Sequence, residues 1–218
     1  MNKQKEVEIV YQDSEIVVIN KPGGMLAVPG RGPEKQDCVA ARLRRYFPNM
    51  IRQPAVHRLD MYTSGLMVFA VTARAHRFLS GQFEQRKVVK KYIAVVEGIL
   101  EETCGEISLP FRLDPDNRPL QIYDPVHGKM GVTSWRKIKT TDTTTEVEFT
   151  PLTGRTHQLR VHAAHPRPMG LGAPIVGDSL YGSGKEGDQM MLHATLLRFA
   201  HPETTKTLEF KTVPPFLG

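Results

Sequence analysis

Residues 57–71 read HRLDMYTSGLMVFAV. The second half, from Gly65 to Val71, is a continuous apolar run of strand length, and it predicts a buried central strand. The first half places the guanidinium of Arg58 and the carboxylate of Asp60 two residues apart, where a loop meets that strand. Either side chain by itself could cap a turn or lie in solvent, so at this point a structural and a functional role both stay open.

The sequence on both sides of this run predicts an α+β fold, built on a mainly antiparallel, mixed sheet that is flanked by a few helices. Segments that alternate between apolar and polar residues, or that are rich in β-branched residues, predict strands. They lie at residues 7–11, 16–19, 92–97, 105–109, 132–139, 144–152, 190–199 and 207–211. Many of the connections between them are of hairpin length, which favours antiparallel pairing.

Three helices are predicted from their start and stop signals. Asp37 is a candidate N-cap for a helix over residues 38–47, and Thr72 is one for a helix from residue 73 to about residue 87. A third, short helix over residues 157–164 follows a glycine-containing turn and ends before a proline. No internal repeat or long linker divides the chain, so a single domain over residues 1–218 is expected.

The composition is that of an ordinary soluble globular protein, with 40% hydrophobic and 24% charged residues among 218. No apolar run approaches the ~20 residues of a membrane helix, and residues 1–8 lack the apolar stretch of a secretory signal. The two cysteines, Cys38 and Cys104, are far apart in the sequence and fit a reducing compartment. A cytoplasmic location is therefore predicted.

Lysine and arginine outnumber aspartate and glutamate by 29 to 23, which gives a formal net charge of +6. This charge favours a polyanionic partner over a neutral metabolite, with nucleic acid as the first candidate. An RNA-binding module without catalysis is one interpretation. A metal-dependent hydrolase is another, because His157, His162 and His165 lie close together in the sequence. A metal site is nevertheless not expected, since Pro166 ends their helix and no further ligand follows at a recognisable spacing.

A second dense polar cluster lies on the turn and helix start at residues 154–162, which read GRTHQLRVH. Arg160 alone could be a solvated helical charge. Two clusters of Arg, His and Asp side chains against buried strands, in a basic chain, give a functional and a structural role about equal weight.

Residues 57–65, HRLDMYTSG, closely resemble the HRLDxxTSG signature of the RluA family of RNA pseudouridine synthases. Further blocks resemble those of the family in the same order: NKPGG at 20–24, KKY at 90–92, GRTHQLRVH at 154–162, GDSLYG at 177–182 and LHA at 192–194. The chain length and a first strand near residue 7 resemble the RluA subgroup, which acts on ribosomal and transfer RNA. This subgroup lacks the N-terminal accessory RNA-binding domain of larger members, so none is expected here.

The resemblance implies the pseudouridine synthase fold and an isomerase that cleaves the glycosidic bond of a uridine, turns the base and rejoins it through a ring carbon. No cofactor is implied, because nothing is oxidised and no group is lost. Asp60 matches the essential aspartate of the family, and Arg160 matches the arginine that pairs with it. Tyr92 matches the active-site tyrosine, which can stack on the displaced base or take part in proton transfer.

The implied partner is a stem-loop of ribosomal RNA, transfer RNA or both, from which the target base must be extruded. The resemblance suggests that Arg58 follows the base or occupies its vacated space. The residues predicted to bind this RNA are His57, Arg58, Arg31, Lys90 and Lys91. A monomer is expected, with no metal ion and no membrane association.

Overall fold

The structure is a computed structural model that describes residues 6–217. It divides into two compact units: the first unit comprises residues 6–90 and 193–217, and the second unit comprises residues 91–192. Residues 1–5, which belong to the segment where a secretory signal was not expected, lie outside the described residues. The single domain predicted over residues 1–218 stays a prediction.

Strands and helices alternate irregularly along the chain, and the predicted α+β class is confirmed. The strands are β1 Glu8–Gln12, β2 Ile16–Lys21, β3 Ser64–Ala70, β4 Val89–Glu97, β5 Cys104–Leu113, β6 Gln121–Tyr123, β7 Lys129–Thr140, β8 Thr144–Pro151, β9 Leu192–Ala200 and β10 Thr207–Lys211. The α-helices are α1 Val39–Tyr46, α2 Ala73–Glu84 and α3 Gln158–Ala164. Within the described part of the chain, no helix is long and apolar enough to cross a membrane.

The first unit is built around strand β3. Strand β2 pairs antiparallel with both β1 and β3, β3 runs parallel to β9, and β9 pairs antiparallel with β10. All seven residues of β3 are buried, so the predicted buried strand is confirmed. Ala75 and Leu79 of α2 join Leu66 and Val68 of β3 in one apolar cluster. Full burial of a leucine or valine side chain in this cluster stabilises the fold by about 1.5–3 kcal/mol.

The predicted N-cap of α1 is wrong. The helix is capped by Cys38, whose Sγ accepts a hydrogen bond from the Ala41 N–H at 3.4 Å. The carboxylate of Asp37 instead accepts two hydrogen bonds from Arg42, at 2.7 and 2.6 Å. A bidentate guanidinium is a stronger partner for a carboxylate than a backbone N–H, which explains the exchange.

The predicted N-cap of α2 is confirmed, because Thr72 Oγ1 accepts from the Ala75 N–H at 3.0 Å. This helix ends at Glu84, earlier than expected. Arg86 has a positive φ of 57°, a conformation that cannot continue a right-handed helix.

The second unit is an antiparallel sheet in the order β4, β8, β7, β5 and β6. Strand β6 was not predicted, since it is only three residues long and pairs with the end of β5. The predicted third helix is confirmed as α3, although its first residue is Gln158. Residues 158–163 are all buried, including Arg160. A buried charge on a buried helix requires a partner.

Candidate active site

The signature loop, residues 57–63, leads into strand β3 of the first unit. Leu59 and Thr63 are buried, Asp60 is half-buried and Arg58 is exposed. The buried side chains anchor the loop, and the carboxylate and the guanidinium stay within reach of solvent. Asp60 is therefore only partly removed from solvent.

A buried lysine holds the backbone of this loop. Lys21 is fully buried, and its Nζ donates to the carbonyl oxygens of Pro22, Met25 and Met61 at 3.0, 2.7 and 2.9 Å. The Gly24 N–H also donates to the Met61 carbonyl, at 2.8 Å. An ammonium group has three N–H donors, so these carbonyls satisfy a charge that would otherwise be costly to bury. Sequence reasoning missed this support by Lys21, because a lysine in a turn that ends a strand is ordinarily solvated.

His57 anchors the start of the signature loop to strand β3 and helix α2. Its Nε2 accepts a hydrogen bond from the Val68 N–H at 3.1 Å, and its ring stacks on Phe83 with a centroid separation of 4.5 Å. Burial of the ring, and secondly the nearby charge of Lys90, lower the pKa of His57 to about 3. The imidazole is therefore neutral, as an accepting Nε2 requires.

A second histidine anchors the residue that follows the loop. Ser64 Oγ lies 2.7 Å from Nδ1 of His193, and Nε2 of that ring lies 2.7 Å from Oγ1 of Thr212. Burial lowers the pKa of His193 to about 4, so this ring is neutral too. The same point of the fold tolerates no side chain at Gly65, where a Cβ would lie 2.4 Å from the carbonyl oxygen of Ala194.

The residues predicted to bind RNA differ in their surroundings. Arg31 and Arg58 are exposed. Lys90 is half-buried, and burial lowers its pKa. Lys91 belongs to the second unit, where its Nζ lies 3.1 Å from Oε1 of Glu148. The two arginines are thus the more accessible cations of this set.

Arg160 forms a buried, bidentate ion pair with Asp178 in the second unit. Arg160 Nε donates to Oδ2 at 2.7 Å, and Nη2 donates to Oδ1 at 2.6 Å. Oδ1 also accepts from the backbone N–H groups of Leu180 and Tyr181, at 2.9 and 3.2 Å. Asp178 lies within the GDSLYG block, but sequence reasoning missed its pairing with Arg160. Its spacing of 18 residues from the arginine carries no periodic signal that could have paired them.

An aromatic ring and a strained histidine complete the surroundings of this arginine. Arg160 Cζ lies 5.1 Å from the centroid of the Tyr181 ring. The Tyr181 hydroxyl accepts from the Gln121 N–H at 2.8 Å, and its oxygen also lies 2.8 Å from Nδ1 of His157. His157 has a left-handed backbone with φ 56° just before α3. Strained residues of this kind concentrate at functional sites.

Tyr92 lies on the face of the second unit's sheet to which α3 is attached. It is opposite Phe149 in β8, which is opposite Trp135 in β7, and opposite residues of paired strands point to the same face. Thr133, two residues before that tryptophan, shares the face and accepts from Gln158 Nε2 of α3 at 2.9 Å.

The three predicted catalytic residues come from different parts of the chain. Asp60 belongs to the first unit, and Tyr92 and Arg160 belong to the second. Among the residues that the structure describes, no group of three or more His, Cys, Asp or Glu side chains is arranged to hold a metal ion.

Comparisons with known proteins agree on one family. A family model described as RNA pseudouridylate synthase matches residues 15–165. The chain is 41% identical over 214 residues to the dual-specificity RNA pseudouridine synthase RluA of Haemophilus influenzae, across 96% of this chain and 94% of that protein. It is 40% identical over 212 residues to the protein of the same name from Escherichia coli, across 95% and 93% of the two chains.

A solved structure supports the same relationship. The human RNA pseudouridylate synthase domain containing 1 is similar with a TM-score of 0.77 and 30% sequence identity. The similarity covers 100% of this chain and 88% of the human one.

Proposed function

The chain belongs to the RNA pseudouridylate synthase family and is an RNA pseudouridine synthase, and we propose that it isomerises specific uridines in stem-loops of ribosomal RNA, transfer RNA or both. Relatives that are 41% and 40% identical have names with the words dual-specificity, which supports more than one RNA target. The net charge of +6 supports a polyanionic substrate.

The proposed catalytic residue is Asp60. The reaction breaks the bond between C1′ and N1 of the uridine, turns the uracil and forms a bond from C1′ to C5, while C5 loses a proton and N1 gains one. A carboxylate can promote it by attack on the uracil ring, by attack on the sugar carbon, or by removal of a sugar proton to give a glycal. Each route needs Asp60 ionised and accessible, and its half-buried position on an anchored loop supports that role.

Arg160 is the proposed partner of the catalytic carboxylate, because a guanidinium keeps its charge at every physiological pH. Asp178 accepts from two of the five N–H donors of Arg160, which supports a fixed orientation of this side chain. Tyr92 is the proposed residue that stacks on the displaced base or moves a proton late in the reaction.

The target base has to leave the RNA stack before the carboxylate can reach it, at a cost of a few kcal/mol. Arg58, exposed and two residues from Asp60, is the proposed side chain that follows the base or occupies its place. Arg31, Lys90 and Lys91 are the proposed phosphate contacts. The resemblance also implies an RNA contact for His57.

We further propose a cytoplasmic monomer that needs neither a metal ion nor a membrane. The isomerisation exchanges no electrons and loses no group, so its chemistry does not call for a cofactor. Residues 1–218 are proposed to act as a single catalytic domain, since the family model spans residues 15–165 and so includes parts of both units. Elemental analysis and mass photometry of the purified protein test the metal and the oligomeric state.

The observation that carries the proposal is the 41% identity across 94% of a named RNA pseudouridine synthase, with the signature aspartate in place. The test measures tritium release from carbon 5 of labelled uridine, in ribosomal RNA and in transfer RNA taken from a deletion strain. Release from at least one of these RNAs is expected. No release from either would contradict the proposed substrates and favour a binding module without catalysis.

A further inference from the structure

The edge of strand β3 that faces away from β2 changes partner along its length. Near its C-terminal end, the Ile51 N–H donates to the Val71 carbonyl at 3.0 Å, and the Ala70 N–H donates to the Pro54 carbonyl at 2.8 Å. Near its N-terminal end the same edge pairs in parallel with β9, through Ser64 and residue 65. The signature loop begins between these two pairings.

Val68 is the residue of β3 at this change of partner, and a side chain takes the place of a strand carbonyl there. Its N–H donates to Nε2 of His57 at 3.1 Å. Every N–H of a buried strand needs an acceptor, since an unpaired buried donor costs about 1–3 kcal/mol. Because the imidazole supplies this acceptor, the backbone at His57 is released from strand pairing and can carry Arg58 and Asp60 away from the sheet.

Two perpendicular contacts fix the imidazole. The hydrogen bond to Val68 lies in the plane of the ring, and the stacking on Phe83, at 4.5 Å with an interplanar angle of 21°, restrains the ring from one face. A side chain held along both directions is pre-organised, which is what a rigid support for a catalytic group requires.

The charge state of His57 does not suit a role in proton transfer or in phosphate binding. Nε2 accepts a hydrogen bond, so the ring carries its single proton on Nδ1. Burial and the charge of Lys90 lower the pKa of His57 to about 3. A general acid or base works best with a pKa near the operating pH, and a neutral ring offers no charge to a phosphate.

We propose that His57 is a positioning residue, which fixes the point where the loop carrying Arg58 and Asp60 leaves the sheet and does not itself bind RNA. This role rests on the proposed function of Asp60. It differs from the RNA contact that the resemblance implies for His57, and the two roles predict different kinetics.

The test compares His57→Phe, His57→Gln and a control, His76→Phe, which changes a half-buried histidine on the same α2 helix that carries Phe83. His57→Phe keeps an aromatic ring for the stacking and removes the acceptor. His57→Gln removes the ring and keeps an oxygen that can reach the Val68 N–H. For each variant we would measure the single-turnover rate constant at saturating RNA, the Kd for RNA and the melting temperature.

We expect His57→Phe to lower the rate constant by about 10- to 100-fold, because a displacement near 1 Å at a reacting group has this effect. Its Kd should stay within about threefold of wild type. His57→Gln should recover a large part of the lost rate, with an unchanged pH–rate profile, and His76→Phe should behave as wild type. A wild-type rate in His57→Phe would overturn the proposal, and so would a weaker Kd with an unchanged rate constant, or a His57→Gln variant no faster than His57→Phe.

A direct measurement on the wild-type protein does not depend on these variants folding. Nitrogen-15 NMR should find Nε2 of His57 unprotonated at pH 7, and the Val68 amide should be among the slowly exchanging amides. A protonated Nε2, or a rapidly exchanging Val68 amide, would overturn the proposal. If instead Asp60→Asn remained active, the proposed function of Asp60 would fail while these two NMR results stood, so the two failures are distinguishable.

Discussion

Arg160 and Asp178 form the same forked ion pair as Arg42 and Asp37, but only the first pair is buried. The two forks have nearly equal hydrogen-bond lengths, 2.7 and 2.6 Å in each case. Exposure of the side chains is 3% and 0% in the Arg160 pair, against 15% and 57% in the Arg42 pair. The two pairs differ in burial and in the two backbone N–H groups that also donate to Asp178, so the exposed pair serves as a control for the loss of the fork itself.

Asp178→Asn should reduce both stability and turnover. Removing one partner of a buried pair costs about 3–5 kcal/mol, since the remaining charge is buried without compensation. Asp37→Asn removes the same fork at the surface, where a pair contributes about 1 kcal/mol or less. Urea unfolding of both variants measures the difference. Equal losses would contradict the view that Asp178 neutralises Arg160, and wild-type turnover in Asp178→Asn would contradict its role in orienting that side chain.

The protein should lose stability as the pH falls from about 6.5 towards 4. Burial lowers the pKa values of His57, His162 and His193 to about 3, 4 and 4, whereas an unfolded histidine titrates near 6.5. Below pH 6.5 the unfolded chain therefore binds more protons than the folded one. The free energy of unfolding decreases as the pH decreases. Each histidine adds a slope of up to about 1.4 kcal/mol per pH unit. Urea unfolding between pH 8 and 4.5 measures this slope, and a flat profile would show that the rings titrate normally.

His162→Leu should stabilise the protein, unlike most substitutions in a core. The ring is fully buried, it meets Phe111 edge-on at 5.8 Å, and neither ring nitrogen has a hydrogen-bond partner among the residues described. Burying such polar atoms costs about 1–3 kcal/mol, and leucine fills a similar volume without them. We expect a higher melting temperature and a shallower dependence of stability on pH. A loss of stability above about 1 kcal/mol would contradict this prediction and would show that the imidazole makes a stabilising hydrogen bond.

The sequence could predict the elements whose causes are local. The continuous apolar run of β3 and the threonine cap of α2 depend on neighbours in the chain, and both are confirmed. Asp37 failed as a cap because a guanidinium five residues later competes for its carboxylate. The pairing of Arg160 with Asp178 and the hydrogen bond from Lys21 to the Met61 carbonyl join residues distant in sequence, and no period or spacing reveals such contacts. The resemblance to a known family therefore identified the candidate site residues. The contacts that support them could be identified only from the structure.

RNA binding should depend strongly on salt. If about 4–6 basic residues neutralise phosphates, log affinity should fall with log salt at a slope of about −3 to −5. Arg31→Ala should reduce this slope by about 1, because Arg31 is exposed. Lys91→Ala should have a smaller effect, since its Nζ is already paired with Glu148 at 3.1 Å. Arg77→Ala, on the exposed side of α2, serves as a control. A slope near zero would contradict a phosphate-binding surface.

Asp60→Asn should abolish pseudouridine formation while leaving RNA binding nearly intact. Asparagine is close to isosteric with aspartate and keeps hydrogen-bonding capacity, but it cannot act as an ionised carboxylate in any of the three routes. A residue needed only in the chemical step can be changed with little loss of ground-state binding, so the Kd should stay within about tenfold of wild type. The fold should also persist, because Asp60 is half-buried and the backbone of its loop is held by Lys21 through the Met61 carbonyl at 2.9 Å.

Three measurements on the purified Asp60→Asn variant separate chemistry from folding and binding. The melting temperature should match that of the wild type, and an RNA titration should give a similar Kd. Tritium release from carbon 5 of labelled uridine should be undetectable under conditions in which the wild-type enzyme completes the reaction. Release at the wild-type rate would remove Asp60 from the chemistry. Lost release together with a lowered melting temperature would instead assign Asp60 a structural role, because the reaction would then fail with the loop rather than with the missing charge.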